Sequence, residues 1–182
     1  MKGVILAGGK GTRMLPLTKV TNKHLLPIYN EPMIYYPIRT LAAAGIKDIL
    51  IIVGGESIGD FLRLLGSGKE FGVNLTYRCQ EGAEGIPVAL ALAKEFADGG
   101  KVMVVLGDNV MEEGLKEEAV KFEKDSSRSA HIFLKEVHDP QRYGVVELKG
   151  DEIVAIHEKP AHPPTNLCVT GVYMFDSTVF DV

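Results

Sequence analysis

GVILAGGKGTR, at residues 3–13, is a short apolar run that opens into a loop with three glycines. A continuous apolar run of this length is typical of a buried parallel strand. Glycines let backbone N–H groups approach a polyphosphate closely, and Lys10 and Arg13 add positive charge at the same place. Because ligands of open α/β sheets bind at the carboxyl ends of strands, we expect a phosphate site at this loop.

Two better-known phosphate loops do not fit this segment. The dinucleotide-binding fingerprint requires a glycine or alanine where this chain has Met14. The Walker A loop requires serine or threonine directly after Gly-Lys, whereas Gly11 follows Lys10. The glycines alone would equally suit a structural turn without a ligand, and it is Arg13 with the segment after it that favours binding.

Strand and helix patterns alternate along the first 126 residues, and strand patterns follow one another after that. The sequence Lys149-Gly150-Asp151 predicts a hairpin turn between two of the later strands. This order predicts a three-layer, Rossmann-like α/β fold, whose mostly parallel sheet has an antiparallel extension. The predicted strands cover residues 3–7, 49–53, 75–79, 102–106, 130–137, 145–148, 153–157 and 168–175, and the predicted helices cover residues 32–44, 58–65, 87–97 and 113–124.

Composition narrows the class of protein. The chain has 182 residues, of which 46% are hydrophobic and 24% are charged, which suits one soluble globular domain. A formal net charge of −4 argues against a nucleic-acid partner, which would select a basic face. No apolar run approaches the roughly 20 residues of a membrane span, so we expect no membrane partner and a cytoplasmic protein. Both cysteines, Cys79 and Cys168, are expected to be buried apolar residues.

Short motifs are spread along the chain: GGKGTR at 8–13, Lys23, Leu26-Pro27, Pro32-Met33, LGDN at 106–109, RYGVVE at 142–147, EKP at 158–160 and VTGVY at 169–173. Together these motifs resemble the signature of the sugar-1-phosphate nucleotidyltransferase family, and the nearest match is to the glucose-1-phosphate thymidylyltransferases. The resemblance covers nearly the whole chain and implies the nucleotidyltransferase fold. We expect residues 1–182 to be a core domain that is truncated at its C-terminal end, because only five residues follow the helix cap at Asp176-Ser177.

The resemblance also implies an activity. Such an enzyme transfers a nucleoside monophosphate from dTTP or UTP to a hexose 1-phosphate, here glucose 1-phosphate, and releases pyrophosphate. The resemblance implies Mg²⁺ as the cofactor, and it allows a homo-oligomer in the full-length form. Related enzymes supply a second metal-binding aspartate from beyond the region present here, so the activity of this chain by itself stays open.

The resemblance and side-chain chemistry together suggest the role of each site residue. Arg13, Lys23 and Asp108 are the expected catalytic residues, because the two cations suit phosphate oxygens and the carboxylate suits Mg²⁺ as its ligand. The implied nucleotide-binding residues are Leu6, Ala7, Gly8, Gly9, Gly11, Thr12, Arg13, Gln80 and Gly85, and the implied sugar-phosphate-binding residues are Asn109, Tyr143, Gly144, Glu158, Lys159 and Thr170.

One segment departs from the thymidylyltransferase pattern. Where those enzymes typically read Gly-Leu-Ala-Gln-Ala, residues 85–89 read GIPVA, which removes an amide side chain. A thymine methyl group contributes only about 0.8 kcal/mol when buried, so the sequence leaves dTTP and UTP open. The alternative function is a noncatalytic nucleotide or sugar-nucleotide binding module of the same fold, although such modules typically lose the catalytic residues that are present here. A transferase that acts on a nonsugar phosphate is a third hypothesis.

Overall fold

Strand β1 (Lys2–Ala7) lies inside an eight-stranded sheet, and five of its six residues are buried. The computed structural model describes residues 1–82, 85–112, 114–150 and 152–181. The other strands are β2 (Pro27–Ile28), β3 (Glu31–Pro32), β4 (Asp48–Gly54), β5 (Asn74–Gln80), β6 (Val102–Leu106), β7 (Ala130–Glu136), β8 (Gly144–Lys149), β9 (Glu152–Glu158) and β10 (Leu167–Phe175). The α-helices are α1 (Tyr35–Ala43), α2 (Ile58–Leu65), α3 (Ile86–Ala91), α4 (Lys94–Ala97) and α5 (Lys116–Lys124).

The large sheet joins a parallel half to an antiparallel half. Its strand order is β5-β4-β1-β6-β10-β8-β9, and β7 also pairs with β10. Strands β5, β4, β1 and β6 run parallel, so their carboxyl ends lie along one edge of the sheet. Strand β10 runs antiparallel to β6, and its pairs with β7 and β8 and the β8–β9 pair are also antiparallel. Strands β2 and β3 form a separate hairpin.

Hydrophobic clusters cover both faces of the parallel half, because successive side chains of a strand point to opposite faces. Ile5 and Ala7 of β1 belong to the cluster that receives side chains from α1, α2 and α5. Val4 and Leu6 belong to the cluster that receives side chains from α3 and α4. Helices on both faces of a mostly parallel sheet make three layers, and this confirms the predicted fold class.

The structure corrects three of the predicted helices. Helix α1 begins at Tyr35 and not at residue 32, and this start puts Pro37 in the first turn, where its missing N–H costs no helical hydrogen bond. The predicted helix 87–97 is interrupted, because the N–H groups of Leu92 and Ala93 donate to carbonyls three residues back, in the tighter 3-10 pattern. Helix α5 begins at Lys116, and residue 113 lies outside the described part of the chain.

Other local predictions have mixed outcomes. The hairpin prediction for β8 and β9 is confirmed by their antiparallel pairing and by Gly150 at φ 64°, although residue 151 is outside the described ranges. The predicted cap is confirmed at Asp176, whose carboxylate accepts from the Thr178 N–H at 2.9 Å. The prediction that Cys79 is buried is wrong, because Cys79 lies on the edge strand β5 and is exposed. Within the described residues, no helix has the length and apolarity needed to cross a bilayer.

Candidate functional site

A cavity of about 290 Å³ opens where strands β1, β5 and β6 end and helix α3 begins. This is the edge at which open α/β sheets bind ligands. The cavity brings Lys23 and Asp108 together with five of the predicted nucleotide-binding residues. Its lining consists of Leu6, Gly8, Gly9, Lys23, His24, Gln80, Gly85, Ile86, Ala89, Leu106 and Asp108.

Other side chains closely approach the glycines of the loop. A Cβ atom on Gly8 would lie 2.4 Å from Oε1 of Gln80, which is closer than any real contact. A Cβ atom on Gly11 would lie 2.8 Å from Cβ of Lys23, and Gly11 also has the left-handed φ of 62°. Gly9 has the Lys23 stem against it. The loop backbone is therefore held close to both Gln80 and Lys23.

Lys23 and Asp108 form an ion pair within the cavity. Nζ of Lys23 lies 2.6 Å from Oδ2 of Asp108, and the two side chains are 20% and 40% exposed. Lys23 begins a 3-10 turn whose preceding residue, Asn22, accepts a hydrogen bond from the His24 N–H. Burial alone would raise the pKa of Asp108, but the hydrogen bond and charge of Lys23 outweigh it and hold that pKa below its usual value. The carboxylate thus faces the cavity ionised and already paired with a cation.

His24 was not predicted as a site residue, yet it is the most buried polar side chain of the cavity. It is 1% exposed, and its Nδ1 lies 2.7 Å from Oδ1 of Asn22. The ring packs against Gly107, where a Cβ atom would lie 2.7 Å from Cδ2 of the imidazole. Burial and the neighbouring charge of Lys23 lower the pKa of His24 to about 4. Its position next to Lys23 was the one sequence signal that could have identified it.

The end of the cavity near α3 combines one amide with an apolar wall. Gln80 is 5% exposed, and its Nε2 lies 3.5 Å from the carbonyl oxygen of Gly85, so the structure brings these two predicted residues together. Gly85 has a φ of 92° and is the N-cap residue of α3. The wall residues Ile86, Ala89 and Leu106 were missed, although the first two lie one helical turn apart. Val88, at the departure from the family pattern, does not line the cavity.

Four predicted nucleotide-binding residues lie outside this lining. Ala7 is buried at the end of β1, beneath the loop. Gly11 precedes a 3-10 turn, Thr12–Met14, which contains Thr12 and Arg13 on an exposed part of the loop. Arg13 therefore lies on the glycine loop with an exposed side chain, and it does not line the cavity.

Most of the predicted sugar-phosphate residues form a second cluster, at the end of the β8–β9 hairpin. Gly144 pairs with Glu158 across the two strands, and a Cβ atom on Gly144 would lie 3.4 Å from Oε2 of Glu158. Nζ of Lys159 lies 2.6 Å from Oε1 of Glu158, and the Lys159 N–H donates to the carbonyl of Tyr143 at 3.0 Å. These four residues are together, but none lines the cavity.

Asn109 and Thr170 lie on elements that link the two regions. Asn109 follows Asp108 in the chain, and its Oδ1 accepts from the Gly171 N–H at 3.1 Å. Thr170, the neighbour of Gly171, has a buried hydroxyl oxygen with no hydrogen-bond partner in the described structure. The predicted sugar-phosphate residues therefore lie in two places. Four of them lie at the end of the β8–β9 hairpin, whereas Asn109 lies on the turn after β6 and Thr170 lies on β10.

The side chains at the cavity suit a metal ion that binds together with a phosphate ligand. Among the described residues, no group of three or more His, Cys, Asp or Glu side chains is arranged to hold a metal ion. Asp108 supplies one carboxylate, and the Lys23 ammonium contacts its Oδ2 atom. Mg²⁺ usually takes one or two protein carboxylates and completes its shell with phosphates and water. A single aspartate beside the glycine loop fits that coordination.

The chain belongs to the nucleotidyl transferase family, whose sequence profile matches residues 2–182. It is 42% identical over 178 residues to the glucose-1-phosphate thymidylyltransferase of Neisseria meningitidis serogroup A, a match that covers 97% of this chain and 62% of that protein. It is 43% identical over 184 residues to the enzyme of the same name from Mycolicibacterium smegmatis, covering 100% of this chain and 63% of the relative. The chain therefore spans less than two thirds of the length of these relatives.

Solved structures show the same fold. A crystal structure from Bacillus anthracis, which carries the name of a glucose-1-phosphate thymidylyltransferase and contains sucrose, superposes with a TM-score of 0.96 and is 45% identical. That match covers 100% of this chain and 73% of the other. A UDP-glucose pyrophosphorylase in complex with UDP-glucose gives a TM-score of 0.81 at 25% identity, covering 99% of this chain and 77% of that one.

Proposed function

We propose that this chain carries the nucleotide-binding part of an enzyme that transfers a nucleoside monophosphate to a hexose 1-phosphate. The donor is dTTP or UTP, the acceptor is glucose 1-phosphate, and the second product is pyrophosphate. One observation carries the proposal: the glycine loop, Lys23 and Asp108 converge on a single cavity that ends in a buried amide and an apolar wall. The names of the relatives support the choice of substrates.

The nucleoside would lie toward α3. Gln80 offers both an amide donor and a carbonyl acceptor, which suits the edge of a pyrimidine base. Leu6, Ile86 and Leu106 would contact the faces of the base and the ribose. The triphosphate would then extend along the glycine loop, where backbone N–H groups and the positive charges of Lys23 and Arg13 can neutralise it.

Asp108 would hold Mg²⁺ at the phosphates. Bound there, Mg²⁺ would neutralise charge on the phosphate oxygens and keep the triphosphate in one orientation. The contribution of the protein is a carboxylate that stays ionised, because the hydrogen bond and charge of Lys23 lower its pKa. Lys23, which contacts Asp108 in the structure, would then contact a phosphate oxygen.

The proposed reaction is a direct in-line displacement. An ionised phosphate oxygen of glucose 1-phosphate forms a bond to the α-phosphorus, while the bond from that phosphorus to the bridging oxygen breaks. The electron pair of the broken bond leaves with pyrophosphate, so neither a protein nucleophile nor a proton transfer to the acceptor is required. Glu158 would accept hydrogen bonds from sugar hydroxyls, and Lys159 would neutralise the acceptor phosphate.

The test is pyrophosphate release from dTTP or UTP with glucose 1-phosphate and Mg²⁺, measured on the full-length protein. Asp108→Asn and Arg13→Ala should each lower kcat/KM by at least about 100-fold, because each removes charge stabilisation from the transferring group. Asp60→Asn and Arg63→Ala are matched controls, since this exposed pair on α2 lies outside the cavity. Full activity in both site variants would refute the mechanism, and nucleotide binding without turnover would favour the noncatalytic module.

A further inference from the structure

Arg78 and Gln80 lie two residues apart on β5, so their side chains point to the same face of the sheet. Nε2 of Gln80 lies 3.5 Å from the carbonyl oxygen of Gly85, the N-cap residue of α3. Nη1 of Arg78 lies 2.6 Å from the carbonyl oxygen of Leu92, the C-cap residue of the same helix. Strand β5 therefore holds α3 at both ends. Arg78 was not predicted as a site residue, and it does not line the cavity.

Helix α3 depends on such contacts because it is short. Its six residues are too few for a helix that is stable by itself in water. Ala89 and Leu90 pack into the hydrophobic cluster that contains Val4 and Leu6. Ile86 and Ala89 form part of the apolar wall of the cavity. The position of the helix therefore sets the position of that wall relative to Gln80.

The contacts at the two ends of α3 differ in strength. The amide of Gln80 is a neutral donor, and its distance of 3.5 Å to Gly85 is at the long limit for a hydrogen bond. The guanidinium of Arg78 is a charged donor at a short distance from Leu92, and such bonds are roughly twice as strong as neutral ones. Nη2 of Arg78 also lies 2.7 Å from Oε2 of Glu95, but the Glu95 side chain is 81% exposed, so this ion pair contributes little. The bond from Arg78 to Leu92 is therefore the main tether.

Nucleotide binding would act on the weaker of these two contacts. In the proposed function, Gln80 offers its amide to the pyrimidine base, and the amide nitrogen near Gly85 is the donor that a base oxygen would use. Any shift of the amide toward the base lengthens a contact that is already at its limit. Arg78 does not face the cavity, so its bond to Leu92 would stay in place while the nucleotide is bound.

We infer that Arg78 is a positioning residue for the nucleoside: by tethering the C-terminal end of α3 to β5, it fixes the distance between the apolar wall and the amide of Gln80. The inference deepens the proposed function and rests on it for the identity of the ligand. Arg78 acts through α3 and touches neither the nucleotide nor the sugar phosphate. It is therefore distinct from Gln80, which faces the cavity directly.

The kinetic test compares Arg78→Met with wild type in the full-length protein, using whichever of dTTP and UTP wild type turns over faster. Loss of the charged hydrogen bond should raise KM for the nucleotide about tenfold, with KM for glucose 1-phosphate changed less than about twofold. Arg78→Lys should recover part of this loss, because an ammonium group can still donate to the carbonyl of Leu92.

Two further variants are controls for this comparison. Glu95→Gln should keep both KM values close to those of wild type, because the ion pair that it removes is exposed. Arg63→Met removes an exposed arginine of α2 that lies outside the cavity, and it should also behave as wild type. If Arg78 served only the stability of the fold, Arg78→Met would lower the amount of active enzyme, and hence kcat, without changing KM. That result, or an equal rise in KM for both substrates, would overturn the inference.

Amide hydrogen exchange tests the tether without any turnover. The N–H groups of Ala89 and Ala93 donate to the carbonyls of Gly85 and Leu90, and they should exchange faster in Arg78→Met than in wild type, while exchange in β6 stays the same. Unchanged exchange at these groups, or an equal acceleration in β6, would overturn the inference. If wild type binds dTTP or UTP by calorimetry but releases no pyrophosphate, the proposed reaction fails, and the nucleotide affinity of Arg78→Met still decides the positioning role. If wild type binds neither nucleotide, both proposals fall.

Discussion

Nζ of Lys23 and Oδ2 of Asp108 lie 2.6 Å apart at the point where the glycine loop meets the end of β6. The ammonium group thus occupies one of the two oxygens of the carboxylate. A cation that binds Asp108 through Oδ2 must displace it. This competition sets the first prediction.

Lys23→Met should strengthen the binding of Mn²⁺, used as a spectroscopic substitute for Mg²⁺, in the absence of nucleotide. A partly exposed ion pair contributes about 0.2–1 kcal/mol, so we expect a gain of up to about fivefold in affinity. The same variant should bind the nucleotide–metal complex more weakly, because a phosphate contact is lost. Electron paramagnetic resonance titration of free Mn²⁺ measures both, and Lys19→Met, on the neighbouring exposed turn, is the control. Unchanged or weaker Mn²⁺ binding by Lys23→Met alone would contradict the competition.

Gly8→Ala should weaken nucleotide binding by more than about tenfold while leaving the fold intact. The added Cβ would lie 2.4 Å from Oε1 of Gln80, so the amide must move away from its place beside Gly85. Calorimetric titration with dTTP measures the loss. Gly59→Ala is the matched control, because a Cβ atom there meets nothing within 4 Å. Equal dTTP affinities in the two variants would show that Gln80 does not contact the base.

His24 should make the free protein less stable in mild acid. Its folded pKa of about 4 lies below the ordinary value of 6.5, so between these pH values the unfolded state binds more protons. This contribution is constant above about pH 6.5 and weakens the fold progressively as the pH falls toward 4. Urea unfolding at pH 7 and pH 5 should therefore show a smaller loss of stability in His24→Gln than in wild type.

The exposed His162 provides the comparison for this experiment. His162→Gln should keep the pH dependence of the wild-type protein. A pH dependence in His24→Gln that matches wild type would mean that the imidazole is not held neutral by burial.

The two cysteines should differ in reactivity. Cys79 is exposed on the edge strand β5, whereas Cys168 is buried, and burial followed by the charge of Asp139 raises the pKa of its thiol. A thiol reagent at pH 8 should rapidly modify one group in the folded protein and both groups in denaturant, because the thiolate is the reactive form. Cys79→Ser should abolish the fast phase. A fast phase that survives this substitution would contradict the assignment.

The parts of the fold that are governed by local sequence could be predicted. The apolar run of β6 and the glycine-terminated helix α2 have the predicted bounds, because each is delimited by residues that end a strand or helix. The glycine loop after β1 was predicted for a similar reason, since its glycines and cations are contiguous, and its role in phosphate binding stays a prediction. Lys23 and Asp108 lie 85 residues apart, and only the family resemblance suggested that they belong to one site.

What could not be predicted depends on contacts between distant segments. The burial of His24 requires Gly107 to leave room for the ring, and a strand pattern contains no information about that contact. Likewise, the pairing of β10 with β7 is irregular between Val169 and Tyr173, where the Gly171 N–H donates to Asn109 on the turn after β6. The two-residue period of a strand pattern contains no information about this contact. The surface position of Arg13 follows from the 3-10 turn after Gly11, which the loop composition left undetermined.

Strand β10 belongs to both halves of the sheet, because it pairs with β6 on one side and with β7 and β8 on the other. On the proposed function, substitutions in β8 and β9 would therefore alter the choice of acceptor while the cavity keeps its shape. A change in β10 affects both halves at once. In the divergence of such proteins, new sugar preferences should accumulate on the outer hairpin, and β10 should tolerate the fewest replacements.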